Sequence, residues 1–325
     1  MTESEMRLVG VALYGDVGHQ LHHEMLQGKY PGAKLLAVAR FQAKAAQLLA
    51  DAGIPVYSSL EELLDDPTVD LIVFCSPRKD EQGEQIIRAL NAGKHAYAEK
   101  PCCLTESALD RIIEASLRTG KRFHEMNNSS LAQPYLAMRE IVTSGVLGEI
   151  IQVFSQKSYP WMDWRPKDER IDGGLARQVG IYNLRFAEQV AGMKITSLKM
   201  EETPLGIPHT DSDCKRAISM QMRFESGAIG SAIANYCCPP PNDWGQWGYE
   251  TLRIFGERGF VESIDNGRIG ILALNGQSPS VLDVTAPSVD FFELFLEEIV
   301  TEVNLSPFTL EEELRPVRWL LRIKS

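Results

Sequence analysis

Residues 10–19 read GVALYGDVGH. An apolar run ends there in two glycines, Gly15 and Gly18, and a stretch compatible with a helix follows. Strand, tight turn and helix in that order let a parallel sheet present backbone N–H groups to a phosphate. The full pattern for such a turn is G-x-G-x-x-G, and Leu13 stands at its first glycine. Gly15 keeps the position that lets a phosphate approach the backbone, and Gly18 the one that lets helix and strand pack closely. If the bend needs a positive φ at Leu13, the side chain strains it by about 1–2 kcal/mol. The phosphate is expected on the N-terminus of the following helix, predicted from Val17 to Gln27.

The stretches on either side repeat the alternation. MRLVGVAL reads as a first strand, Ala33–Ala39 as a second, IPVY as a short third and VDLIVFC as a fourth. The fourth is a continuous apolar run of the kind buried on both faces. KHAYAEK and KRFHEM are the fifth and sixth. Between them lie helical patterns at Gln42–Ala52, at SSLEELLDD with Ser58 or Ser59 as cap, at Asp80–Ala92 closed by Gly93, and at Ala108–Leu117 with Thr105 as cap. This is the βαβ signature of a doubly wound parallel sheet, a Rossmann dinucleotide fold spanning residues 1–126. Its ligand belongs at the carboxyl ends of the strands.

From residue 127 the texture changes. One helix fits Leu131–Ser144, and long alternating stretches follow, punctuated by ESGA and GERG turn signals. Residues 127–325 are therefore expected to form a substrate-binding and oligomerisation domain of α+β type. It has a largely antiparallel open sheet and helices, and the C-terminal helices are free to pack back on the first domain. Pro316 predicts a kink or break in the last helix. The Pro-rich CCPPPNDW is expected to be a surface loop.

Composition limits the functions open to the chain. It has 325 residues, a length suited to two domains, with 44% apolar and 24% charged residues. A net charge of −11 argues against nucleic acid as a partner. No apolar run is long enough for a membrane span, and the N-terminus lacks the basic and apolar regions of a signal peptide. The six cysteines show no C-x-x-C spacing and read as free thiols of a cytoplasmic protein. His209 and Asp211 are too isolated to suggest a metal, so none is expected. Trp244 and Trp247 suit a substrate pocket or, preferably, a subunit contact.

At the end of the second strand, where a dinucleotide fold usually carries an acid for the adenosine ribose, this chain has Arg40. An arginine there suits a 2′-phosphate, so NADP is preferred to NAD. GKHAYAEKPCCLT, residues 93–105, resembles the G-K-H-V-x-x-E-K-P segment of the Gfo/Idh/MocA family, the glucose–fructose oxidoreductase and inositol dehydrogenase relatives. The D-x-I-V…P strand at Asp70–Pro77, SGVLGEI at 144–150 and LRIFGERGFVE at 252–262 extend the resemblance in the right order.

That resemblance implies an NAD(P)-dependent oxidoreductase acting on a sugar, polyol or diol-like substrate. The implied cofactor-binding residues are Gly15, Asp16, Val17, Gly18, Arg40, Ser76, Pro77, Glu99 and Lys100. Lys100 would contact the nicotinamide ribose and the reacting hydroxyl, with a cis bond to Pro101, and Glu99 would orient the loop. In DGGLARQVGIYNLRF the usual histidine of D-x-G-x-H falls on Tyr182, as in a subgroup with D-x-G-x-Y, and the usual aspartate on Gln178. Tyr182 would then move the proton, since a phenol titrates near 10 and a nearby cation favours its ionised form. Lys100 would polarise the oxygen. Gln178, Asn183, Trp164 and Arg165 would join Lys100 and Tyr182 in binding substrate; the WRP at 164–166 fits the same subgroup.

Gln178 cannot ionise. The P-N-x-x-H that follows the fourth strand in the family is Pro77-Arg78-Lys79-Asp80-Glu81 here, and NNSSLAQP lacks the usual arginine. A catalytically lapsed binding or regulatory member is therefore the alternative, and a lyase or glycosidase using a tightly held NAD a narrower one. The resemblance also implies a homodimer or homotetramer formed through the open sheet.

Overall fold

The structure is a computed structural model that describes residues 7–127, 129–207, 211–241 and 246–323. The chain divides into two compact units: Met1–Met126 with Phe291–Leu310, and Asn127–Asp290 with Glu311–Ser325.

The first unit holds six parallel strands: β1 (Val9–Tyr14), β2 (Ala33–Ala39), β3 (Val56–Tyr57), β4 (Leu71–Phe74), β5 (His95–Ala98) and β6 (Phe123–Glu125). Their order is β3-β2-β1-β4-β5-β6, the doubly wound order that reverses beside β1. All of β1 and β4 is buried, as their unbroken apolar runs require.

The crossover helices are α1 (His22–Leu26), α2 (Ala43–Asp51), α3 (Leu60–Asp65), α4 (Lys79–Asn91) and α5 (Glu106–Thr119). Ser59 and Glu62 make a full capping box on α3, and the Thr105 hydroxyl accepts the Ala108 N–H on α5. The helix α9 (Phe291–Thr301) belongs to this unit, where Phe291, Phe292 and Phe295 gather around the Tyr97 ring of β5. The fully buried Glu298 fastens it: its carboxylate accepts the Leu305 and Ser306 N–H groups at 2.7 Å and meets His124 Nε2 at 2.9 Å.

Two expectations change here. The first helix does not begin at Val17: residues 17–19 bend, and α1 has only the five residues from His22. The glycine turn therefore does not run directly into a helix start. Leu13 does not lie in the bend either. It is an inner residue of β1, buried and paired with Val38 and Val73, and it needs no positive φ.

The second unit is built on an eight-stranded sheet of β7 (Ile150–Ser158), β8 (Ile195–Glu202), β9 (Ala217–Phe224), β10 (Ile229–Asn235), β11 (Tyr249–Gly256), β12 (Gly259–Ile264), β13 (Ile269–Leu274) and β14 (Ser280–Val281). The order is β14-β13-β12-β11-β7-β10-β9-β8; β7 and β10 are parallel and every other pair is antiparallel.

The helices of this unit are α6 (Tyr135–Thr143), α7 (Glu169–Asp172), α8 and α10 (Leu310–Ile323, whose first residue counts with the other unit). The helix α8 runs as an α-helical turn, Ile181–Arg185, between two π-helical turns, Ala176–Gly180 and Phe186–Val190. It lies against one sheet face, and Gly180 permits the approach: a Cβ there would stand 3.0 Å from Ile218 Cδ1. The opposite face exposes Phe154 and Ile229. Pro316 lies inside α10, which is not broken there. Among the described residues no helix is long and apolar enough to cross a membrane.

Candidate active site

The glycine turn is stitched to the strands on both sides of β1. Gly15 N–H donates to Ala39 O at the end of β2 (2.8 Å), and Val17 N–H to Cys75 O just past β4 (3.0 Å). Gly15 has φ 79° and Gly18 φ 100°, left-handed conformations that favour glycine. Space forbids a side chain as well: a Cβ on Gly15 would stand 2.4 Å from Cys75 O, and one on Gly18 2.6 Å from Glu99 Cγ. The Cys75 thiol, pushed up to about 12 by burial, stays protonated and donates to His19 O at 3.1 Å.

Asp16 accepts the Gln42 N–H at 2.8 Å and so ties the turn to the start of α2. Between them Arg40, exposed and at φ 59°, turns the chain out of β2. A cavity of about 370 Å³ opens there, lined by Asp16, Val17, Arg40, Gln42, Ser58 and Pro77 among others. Among the described residues that line it, the carboxylate is Asp16, which already accepts from Gln42, and Arg40 supplies the positive charge.

Past β5 the chain brings Glu99 and Lys100 to the same edge. Both are buried, with Lys100 Nζ 3.7 Å from Glu99 Oε1. Glu99 thus lies between the Gly18 turn and the Lys100 ammonium, and the Lys100–Pro101 bond is cis. The Ser76 side chain is turned inward. Its N–H donates to Gln82 Oε1 (3.1 Å) and its hydroxyl to Gln85 Oε1 (2.5 Å), so this fully buried residue braces the turn and does not offer its side chain to a ligand.

In the second unit Tyr182 is half-buried on α8. Lys157 Nζ lies over its ring, 4.6 Å from the centroid, and 5.3 Å from that of Tyr159. Lys157 is ion-paired with Glu250, its cross-strand partner on β11. Tyr159 also meets Tyr182 edge-on at 5.9 Å and Trp247 at 6.2 Å. Lys157, with its partner Glu250, and Tyr159 therefore stand beside Tyr182.

Other expected substrate contacts are spent inside the unit. Gln178 donates its amide to Asp172 O at 2.6 Å. Asn183 is fully buried against the sheet, accepting from the Ser155 hydroxyl (2.8 Å) and donating to Ile233 O (3.2 Å), so it cannot reach a substrate. Arg165 is buried between the Trp164 and Tyr236 rings and bonds Asp172 (3.3 Å) and the Tyr236 hydroxyl (3.4 Å). Its charge is met internally, which makes it a brace. Trp164 itself is exposed. His209 and Trp244 lie outside the described residues, and among the described residues no three His, Cys, Asp or Glu side chains cluster as a metal site.

Residues 7–126 match the oxidoreductase family with an NAD-binding Rossmann fold, and residues 135–262 match the GFO/IDH/MocA C-terminal domain. The chain belongs to the Gfo/Idh/MocA oxidoreductase family. It is 25% identical to a scyllo-inositol 2-dehydrogenase (NAD(+)) of Bacillus subtilis, over 86% of this chain and 80% of the relative. Among solved structures it resembles an aldose-aldose oxidoreductase of Caulobacter crescentus complexed with glycerol, with a TM-score of 0.80, 20% identity and coverage of 98% and 97% of the two chains. It also resembles GenD2 from gentamicin A biosynthesis in complex with NAD, with a TM-score of 0.77, 18% identity and coverage of 99% and 95%.

This Gfo/Idh/MocA member is an oxidoreductase whose first unit is an NAD-binding Rossmann fold. Two features escaped sequence reading. Lys157 carried a weak signal: it shares the inward face of β7 with the buried Val153 and Ser155, an unusual place for a charge. Gln82 carried none, because RKDEQGEQ reads as a solvated helix start.

Proposed function

We propose that the protein transfers hydride between a nicotinamide dinucleotide, NADP in preference to NAD, and a CH–OH group of a cyclic polyol or sugar. The observation that carries the reading is the packing of Glu99 against Gly18 with its ion pair to Lys100, which puts a buried ammonium at the strand edge beside the glycine turn. The residues present suit the cofactor. Gly15 and Gly18 let the turn pack closely on Cys75 and Glu99 where a Cβ would clash, and Arg40 offers a bidentate guanidinium on the wall of the adjoining cavity. Asp16 and Gly18 would face the diphosphate through their backbone, in a turn that Gly15 and Val17 shape by their bonds to Ala39 and Cys75; Arg40 would hold the 2′-phosphate, Ser76 and Pro77 would wall the middle, and Glu99 and Lys100 the nicotinamide end. When bound, the nicotinamide supplies or accepts the hydride.

The chain itself must move one proton. Tyr182 Oη gives it to the substrate oxygen in reduction and removes it in oxidation, and Lys100 Nζ polarises that oxygen. Lys157, ion-paired with Glu250, lies over the Tyr182 ring on one side. Gln178, an amide tied to Asp172, cannot take the proton. The substrate class follows the names of the relatives: an inositol dehydrogenase and an aldose-aldose oxidoreductase.

The exposed sheet face suits a homodimer or homotetramer. Phe154 and Ile229 are exposed there, and the Arg253 guanidinium lies 5.8 Å from the centroids of Phe255 and Phe260.

The test is turnover of myo-inositol, scyllo-inositol and glucose with NAD(+) and NADP(+) by the wild type and Tyr182→Phe. Loss of the proton carrier lowers kcat by about 10²–10⁴-fold. An active wild type matched by Tyr182→Phe refutes the assignment.

A further inference from the structure

Gln82, on the first turn of α4, is fully buried and makes four hydrogen bonds through one amide. Its Oε1 accepts the Ser76 N–H at 3.1 Å and Lys79 Nζ at 3.0 Å. Its Nε2 donates to Glu99 O at 2.6 Å and Pro101 O at 2.9 Å. Two donors on one side and two carbonyls on the other fix which way the amide faces. The buried Lys79 ammonium enforces the choice, since an amide N–H₂ turned toward it would meet only donors.

The two carbonyls belong to the residues immediately before and after Lys100. Ser76 stands just past β4, and the Glu99–Pro101 loop just past β5. One side chain therefore ties together two neighbouring strand ends and holds the backbone on both sides of Lys100. We infer that Gln82 is the positioning residue for Lys100: it sets the place of the ammonium at the nicotinamide end of the cofactor site, and Lys79 sets the orientation of its amide. This rests on the role proposed above for Lys100.

A residue acting at that end, and not on the fold at large, must discriminate between the whole cofactor and the part that lacks nicotinamide. The experiment is calorimetric titration of wild type and Gln82→Met with NADPH and with adenosine 2′,5′-bisphosphate, or with NADH and AMP if NADH binds more tightly, fragments that lack the nicotinamide riboside. Methionine keeps the shape and removes all four hydrogen bonds. The expected result is binding of the whole dinucleotide weakened about tenfold or more, because two buried carbonyls lose their donor, with the fragment's Kd within about twofold of wild type, since its contacts are untouched. Equal weakening of both ligands, or of neither, overturns the inference. If Gln82→Met does not fold, Gln82→Glu decides the same question: it keeps the acceptors facing Ser76 and Lys79 and loses both donors to the Lys100 loop, so the same split is expected. A wild type that binds neither NADH nor NADPH refutes the proposed function itself, and the inference with it, and is read before any variant is made.

Discussion

Restoring the missing glycine should damage this protein. Leu13→Gly completes the G-x-G-x-x-G pattern, so a reading by motif predicts a better turn and tighter binding. The structure predicts the reverse. Leu13 is 3% exposed, sits inside β1 between Val38 on β2 and Val73 on β4, and has no positive φ to relieve. Truncating a buried leucine to alanine costs about 2–5 kcal/mol, and a glycine inside a strand about 0.5–1 kcal/mol more. The sum is about 3–6 kcal/mol, at the central strand of the sheet. For a unit of this size that lowers the melting temperature by about 10 °C. Thermal unfolding followed by circular dichroism, with a dinucleotide titration beside it, reads both effects. A melting temperature unchanged or raised, with tighter binding, would show that residue 13 belongs to the bend and that the reasoning is wrong.

Gly15→Ala tests the other end of the same turn. Its Cβ meets Cys75 O at 2.4 Å with φ at 79°, so the variant should lose about 2–4 kcal/mol of stability and most of its dinucleotide affinity. Unaltered binding by calorimetry would count against the turn as the phosphate site. His95 should dominate part of the acid response. Burial, helped by Lys121 and Arg122, holds its imidazole at about 4, and its neutral Nδ1 accepts the Arg122 N–H at 3.0 Å. Between that value and the ordinary 6.5 the unfolded chain binds the proton and the folded chain does not. Stability therefore falls as pH drops through that window, by on the order of 3 kcal/mol. His95→Gln should flatten this limb of a urea-denaturation series from pH 7 to 4, and equal slopes in the two proteins would remove His95 as the cause.

Much of the first unit could be read from residue patterns. Continuous apolar runs announced β1 and β4, the Ser59 and Thr105 caps marked helix starts, and GKH…EKP placed Lys100 just past β5. What could not be read depended on where side chains turn. Asn183 follows Tyr182 directly, but adjacent helix residues point about 100° apart, so the Tyr182 ring lies under Lys157 while the Asn183 side chain is spent on Ser155 and Ile233. Gln178, four residues before Tyr182, shares its side of the helix, yet its amide is drawn back to Asp172. The α1 stretch has helix-compatible residues, but the links of Val17 to Cys75 and of Asp16 to Gln42 hold the chain in the turn until His22. Gln82 lies in a polar run whose burial depends on strands far along the chain.

The central claim is that the glycine turn, Arg40 and the Glu99–Lys100 loop together bind a phosphorylated nicotinamide dinucleotide. Calorimetric titration of the wild type and Arg40→Ala with NADPH and NADH tests it most directly. The account predicts micromolar binding of NADPH by the wild type, about tenfold or more weakening of NADPH alone in Arg40→Ala as a charge-assisted contact is lost, and little change for NADH. Absence of binding of either dinucleotide to the wild type at millimolar concentration would contradict it.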